Sequence, residues 1–182
     1  MTPPEPPMLQ TSARRGSALR RMLWTHLGSW AFFVSFHNWY GVRRALLRLF
    51  GASVAPTSRL RPSATITHPW NFSIGHESAV GDLAWIDSSA GVHIGDYCTV
   101  SQHAKVLSRL EAPARAALPA QGRIVIEDDA WVAAEAMVLP GVHIHPGAIL
   151  GSRALTREHL DAWGIYGGDP LRKLKTRPAP TT

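Results

Sequence analysis

From Ile126 to Leu155 the chain repeats every six residues, as IEDDAW, VAAEAM, VLPGVH, IHPGAI and LGSRAL. An aliphatic residue opens each block (Ile126, Val132, Val138, Ile144, Leu150). A small one follows four places later (Ala130, Ala136, Val142, Ala148, Ala154). A period of six is neither the helical 3.6 nor the plain strand's two. The small position lies two residues before the next block opens, so each small and large pair faces the same side of a short strand. The remaining residues, among them Asp128-Asp129, Pro140-Gly141 and Pro146-Gly147, carry turn chemistry. Three strands and three corners close one triangular coil. Stacked coils bury a continuous column of aliphatic side chains, which describes a parallel β-helix.

The same period fills the middle of the chain. Its opening positions are Val54, Leu60, Ile66 and Phe72, then Ile74, Val80, Ile86 and Val92, then Ile94, Val100 and Val106. The phase slips by two at Phe72/Ile74, Val92/Ile94 and Ile124/Ile126. A β-sandwich is the competing reading, but sandwich strands alternate without a fixed six. Hydrophobic residues make up 45% of the chain, enough for such a core, and the formal net charge of +6 suggests an anionic partner. No nucleic-acid recognition motif accompanies that charge, so nucleic acid is not an expected partner. The single cysteine, Cys98, excludes an internal disulfide and points to a reducing compartment. It occupies an inward small-residue slot, where a buried, inert thiol is expected.

In chain order, residues 1–13 are Pro-rich and read as a disordered tail. Residues 14–51 read as a helical cap on the solenoid. Ser17 is a candidate helix cap, and Leu19, Met22, Leu23, Leu27, Trp30, Phe33 and Val34 share one helical face, weakened at Gly28-Ser29. Asn38 is a candidate cap for a second helix that Gly51 stops. Arg43, Arg44 and Arg48 fall on its polar side. Covering the open end of the solenoid is one role for these helices. Lying on a membrane surface, with Arg14, Arg15, Arg20 and Arg21 near lipid headgroups, is the other. The apolar run is too short and interrupted to span a bilayer, and no cleavable signal is expected. Residues 52–156 hold the β-helix, interrupted by an excursion at 108–123, the kind of loop that grips a substrate. Residues 157–182 form a basic tail with a short helix after Asp169-Pro170.

NWYGVRRALLRLFGASV, THPWNFSIG, Val100-Ser101-Gln102, IEDDAWVAAEAMVLPGV and Trp163…Gly168-Asp169-Pro170 together resemble left-handed β-helix acetyltransferases. The likeness is greatest to the colanic-acid-type exopolysaccharide O-acetyltransferases and spans residues 14–177. The resemblance supplies the left hand of the helix, since crossover rules alone favour a right-handed turn. It implies a homotrimer. With the reducing compartment read from the single cysteine, a cytoplasmic location is expected, at the inner face of the membrane only in the reading where residues 14–50 meet lipid. The resemblance also implies acetyl-CoA as co-substrate in a groove between neighbouring coils, and transfer of its acetyl group to a sugar or lipid-linked saccharide hydroxyl. A hydroxyl needs a positioned base to take its proton.

The family's base is a loop histidine. In this chain Glu111 stands at that place, a weaker base by reference pKa unless burial raises it. His103, following Ser101-Gln102, is the other catalytic candidate. Trp131, Ala133 and Ala134 match the family's wall beside the pantetheine arm, and Gly151 and Ser152 its close-approach turn, with Arg153 replacing a small residue there. Arg172, Lys175 and Arg177, with Lys173, match a basic tail for the CoA phosphates. Glu127 and His145 replace glycines usual in the family's repeats. These departures leave a second reading, a catalytically impaired homologue serving as scaffold or partner subunit. His143-x-His145 has metal-pair spacing, but the sequence pattern shows no carboxylate set to complete it, so no metal is expected.

Overall fold

The computed structural model describes residues 17–110 and 119–179. The expected tail at 1–13 and Glu111 lie outside the described residues. The core is a parallel β-solenoid with three faces. The first carries Ser53–Val54, Phe72–Ile74, Val92–Ile94, Ile124–Ile126 and His143–Ile144. The second carries Arg59–Leu60, Ala79–Val80, Thr99–Val100, Trp131–Val132, Ile149–Leu150 and Gly164–Gly167. The third carries Thr65–Ile66, Trp85–Asp87, Lys105–Leu107, Met137–Val138 and Leu155–Thr156. Neighbouring coils pair in register, so Leu60, Val80, Val100, Val132 and Leu150 form one inward ladder. All five are buried, as are Ile144 and every other opening position of the repeat. Each such side chain contributes on the order of 1.5–3 kcal/mol by leaving water.

The three phase slips share one physical origin. On the first face the inward residues are Val54, Ile74, Ile94, Ile126 and Ile144, giving coils of 20, 20, 32 and 18 residues. The extra residues always enter at the corner between the third and first faces. The excursion leaves from that corner too, and its mouth is stitched by Gly122 N–H to Ser108 O at 2.9 Å and Leu110 N–H to Ala120 O at 2.8 Å.

Stacking is one-directional. Along the second face Arg61 N–H donates to Val80 O, Gly81 to Val100, Ser101 to Val132, Ala133 to Leu150 and Gly151 to Tyr166. The first coil's carbonyls therefore have no coil before them. Side chains from the amino-terminal segment fill that role. Arg48 Nε donates to Val54 O at 2.8 Å, Arg44 Nη1 to Ser58 O at 3.0 Å, Arg43 Nε to Leu60 O at 2.7 Å, and Trp24 Nε1 to Ile66 O at 2.7 Å.

That segment comprises α1 (Ala18–Leu23), a π-turn (Trp24–Gly28), α2 (Ser29–Phe33) and α3 (Tyr40–Leu49). Ser17 caps α1, its Oγ accepting from Arg20 N–H at 3.2 Å, and Gly51 ends α3 with φ +89°. Two expectations are corrected. Trp39, not Asn38, occupies the cap position of α3, and no side chain caps it. The polar side of α3 turns toward the solenoid rather than to water, because unsatisfied carbonyls attract its arginines; Arg43 is fully buried and Arg44 half-buried, while Arg48 reaches its carbonyl from an exposed position. Contact with the solenoid runs instead through Trp24, Phe32 and Leu47, and the apolar stripe of the first helix points outward, with Leu27 61%, Trp30 65% and Phe33 64% exposed. The short carboxy-terminal helix is also corrected. Arg172–Thr176 is a strand, antiparallel to Gly164–Gly167. Gly168 (φ +87°) and the cis Asp169-Pro170 bond reverse the chain onto the open sheet edge, and five residues nucleate a helix poorly in competition with that pairing.

Candidate functional site

The corner after each second-face strand repeats the same four-residue turn. Residues 101–104, 133–136 and 151–154 stack there on three successive coils. Glu135 N–H donates to Gln102 O at 3.1 Å and Arg153 N–H to Ala134 O at 3.0 Å. The third residue of each turn adopts positive φ: His103 at 57°, Glu135 at 60° and Arg153 at 61°. That conformation is costly for a non-glycine residue, and the coils above and below enforce it. It throws the three side chains outward in one exposed column.

Within the column Arg153 Nε donates to Glu135 Oε2 at 2.9 Å. That bond and the Arg153 charge hold the Glu135 carboxyl below its usual range, with His103 adding to the effect. The same bond raises the Arg153 pKa. Arg153 is thus turned toward the preceding coil. Beside the column Trp131 lies half-exposed, its Nε1 donating to Ser101 Oγ at 2.8 Å. Ala133 is buried against the corner. At Gly151 a Cβ would sit 2.9 Å from Tyr166 O, so the turn needs a glycine for this close backbone approach.

The structure therefore brings His103, Trp131, Ala133, Ala134, Gly151 and Ser152 to one corner and its adjoining face. The tail residues are placed differently. Arg172 and Lys175 are exposed on the edge strand, and Lys173 Nζ pairs with Asp161 Oδ2 at 2.9 Å. Arg177 sits at the corner between the first and second faces. It donates to Gly147 O and Asp129 O, both at 2.8 Å, with its guanidinium 4.9 Å from the Trp163 ring centroid. Its fork is committed to backbone carbonyls. The excursion that holds Glu111 emerges one face away from His103, beyond the strand Lys105–Leu107.

Sequence reasoning missed Glu135 and Ser101. Glu135 is found by stacking the second-face coils, where His103, Glu135 and Arg153 share the fourth place of their blocks; no sequence signal marks the bond of Ser101 to Trp131.

No family profile matches the chain. A protein of Escherichia coli (strain K12) named as a colanic acid biosynthesis acetyltransferase, WcaF, is 30% identical over 165 residues, which cover 90% of this chain and 91% of that one. The chain belongs to this acetyltransferase family. A shorter stretch of 56 residues, 31% of the chain, is 45% identical to a chloramphenicol acetyltransferase of Klebsiella aerogenes. Among solved structures, a maltose O-acetyltransferase from Clostridium difficile 630 superposes with a TM-score of 0.78 at 16% identity, covering 88% of each chain. The hexapeptide-repeat acetyltransferase VCA0836 from Vibrio cholerae, solved with acetyl-CoA, superposes with a TM-score of 0.70 at 20% identity, covering 88% of this chain and 90% of that one. The two superpositions agree with the solenoid described above. In this hexapeptide-repeat acetyltransferase, the stacked corner supplies an outward imidazole, a carboxylate held by a guanidinium, and a smooth wall of small residues beside an indole. Such a set can hold an elongated ligand along the wall and accept a proton at its end.

Proposed function

We propose that the protein transfers the acetyl group of acetyl-CoA to a hydroxyl of a sugar in an exopolysaccharide or its precursor. The observation that carries this reading is the kinship with the colanic acid biosynthesis acetyltransferase across nine-tenths of both chains. In this reading the Trp131, Ala133, Ala134, Gly151 and Ser152 wall holds the pantetheine arm, and exposed Arg172 and Lys175 meet CoA phosphates. His103 takes the proton of the sugar hydroxyl as its oxygen attacks the thioester carbonyl, and CoA leaves as the thiol. Glu111 is the rival base. The active assembly is a homotrimer, so that the excursion of one chain can reach the corner of another.

Measurement of CoA release from acetyl-CoA with a panel of sugars tests this, with His103→Ala and Glu111→Ala beside the parent. Loss of the base lowers turnover roughly 10²–10⁴-fold and names it. Absence of turnover with every acceptor, together with no CoA binding by calorimetry, refutes the reading and leaves the scaffold role.

The acceptor chemistry also bears on location. Lipid-linked saccharides sit at a membrane surface, and the outward stripe of Leu19, Met22, Leu27, Trp30 and Phe33 beside exposed Arg21 suits the lipid interface. Among the described residues no helix is long and apolar enough to cross a membrane. Co-sedimentation with anionic vesicles, abolished in Trp30→Ser/Phe33→Ser, is the expected result.

A further inference from the structure

A second cluster lies across the solenoid from the His103 column, at the edge of the first face. Glu127 and His145 open equivalent corners on adjacent coils, and His143 projects from the strand just before His145. The coils pair Ile126 with Ile144, and Glu127 N–H donates to Ile144 O at 2.9 Å. One ligand atom from each side chain lies within 4.8 Å of the other two. Glu127 Oε1 is hydrogen-bonded to His143 Nε2 and stands 3.6 Å from His145 Nδ1. The two imidazole rings are 4.1 Å apart, centroid to centroid.

We propose that Glu127, His143 and His145 form a binding site for a divalent transition metal ion, with zinc the ion the donor set suits best. Two imidazoles and one carboxylate make a zinc donor set, and too few oxygens are present for calcium or magnesium. Metal–ligand bonds of ~2.0–2.1 Å in a tetrahedron place ligand atoms roughly 3.3 Å apart. The Glu127–His145 separation is already near that value. His159 does not supply the fourth ligand. Its Nδ1 accepts the His143 backbone N–H at 3.0 Å, so the neutral ring carries its proton on Nε2. The fourth position is left to water or an exogenous ligand. The three side chains are 22–38% exposed, open enough for an ion to enter.

The sequence of the following coil bears on why side chains stand at this corner. At two equivalent corners Gly75 and Gly95 are required, because a Cβ would lie 2.1 and 2.2 Å from Asp96 Oδ1 and Asp128 Oδ1 and 2.6 and 2.9 Å from backbone atoms of the following coil. Below Glu127 the following coil has Pro146 in place of that aspartate. The carboxylate oxygen that crowds those two glycine corners is therefore missing beside Glu127. Rigid coils then hold the donors in place before the ion arrives.

The test uses the full chain stripped with chelator and titrated with zinc by calorimetry, with visible absorption of the cobalt form as a second readout. One ion per chain, a raised melting temperature and tetrahedral cobalt bands are expected. Glu127→Gly and His145→Gly restore the glycine of the other corners, so they fold. Each should weaken binding at least about 10-fold, by the scale of losses at metal sites. Failure to bind one ion, or binding unchanged in both variants, overturns the proposal. The readout is binding, so its outcome is independent of the acetyltransferase reading.

Discussion

Replacement of Arg43 by Met isolates what the arginine cap contributes. Arg43 is fully buried and donates to Leu60 O at 2.7 Å, Ser35 Oγ at 2.8 Å, Phe36 O at 2.8 Å and His37 O at 2.7 Å. Its guanidinium also lies 4.9 Å from the Tyr40 ring centroid. Met fills a similar volume but donates nothing. Leu60 O is then orphaned in a buried site, at about 1–3 kcal/mol, and Ser35 Oγ, also buried, loses a charged donor. Phe36 O and His37 O lie nearer solvent, where water replaces much of the loss. The apolar stem of Met offsets part of the total. The sum is about 3–4 kcal/mol, the scale of a broken buried charge network. This penalty falls on the junction between residues 17–50 and the first coil, not on the stacked coils. The assay is therefore hydrogen exchange of the α3 amides together with urea unfolding followed by tryptophan fluorescence. Exchange in α3 should accelerate by two to three orders of magnitude while amides on the fourth and fifth coils keep their protection. Arg44→Met, with one half-exposed bond at 3.0 Å, should cost under about 1.5 kcal/mol. An Arg43→Met effect below about 1 kcal/mol, or no larger than that of Arg44→Met, would refute the account of the cap.

Two further outcomes follow from the core. Burial first, then the Arg123 charge, lowers the His93 pKa, and burial does the same at His68. The unfolded rings take up protons first on acidification, so their contribution is full above about pH 6.5 and declines as pH falls toward the folded values. Unfolding free energy measured in urea should drop between pH 6.5 and 5, with a shallower slope in His93→Gln; a rise on acidification contradicts the assignment. Burial pushes the Cys98 thiol up to about 12. Its Sγ faces Glu127 O at 3.0 Å. A thiol reagent at pH 8 should leave the native chain unmodified and react fully in guanidinium; rapid native labelling would place Cys98 outside the core.

The solenoid was legible because every sixth side chain must enter one column, a local rule visible without knowing which coils touch. Even the slips in phase carried information, since they mark one corner. What was not legible depends on contacts between coils. Glu127 meets His143 and Glu135 meets Arg153 across 16 and 18 residues, distances no six-residue window spans. Arg43 misled for a different reason. A helical wheel sorts residues by affinity for water, but a solenoid's first coil presents carbonyls that compete with water for a guanidinium. At the carboxy terminus the basic pattern suggested a helix because it says nothing of the open sheet edge at Gly164–Gly167.

The sewn mouth of the excursion has an evolutionary corollary. Since Ser108 and Gly122 already meet, the 32-residue coil is an ordinary 20-residue coil with an inserted appendage. Lengthening, trimming or exchanging that appendage need not disturb how the stacked coils stand. Selection can therefore rework that insert while the scaffold stays unchanged.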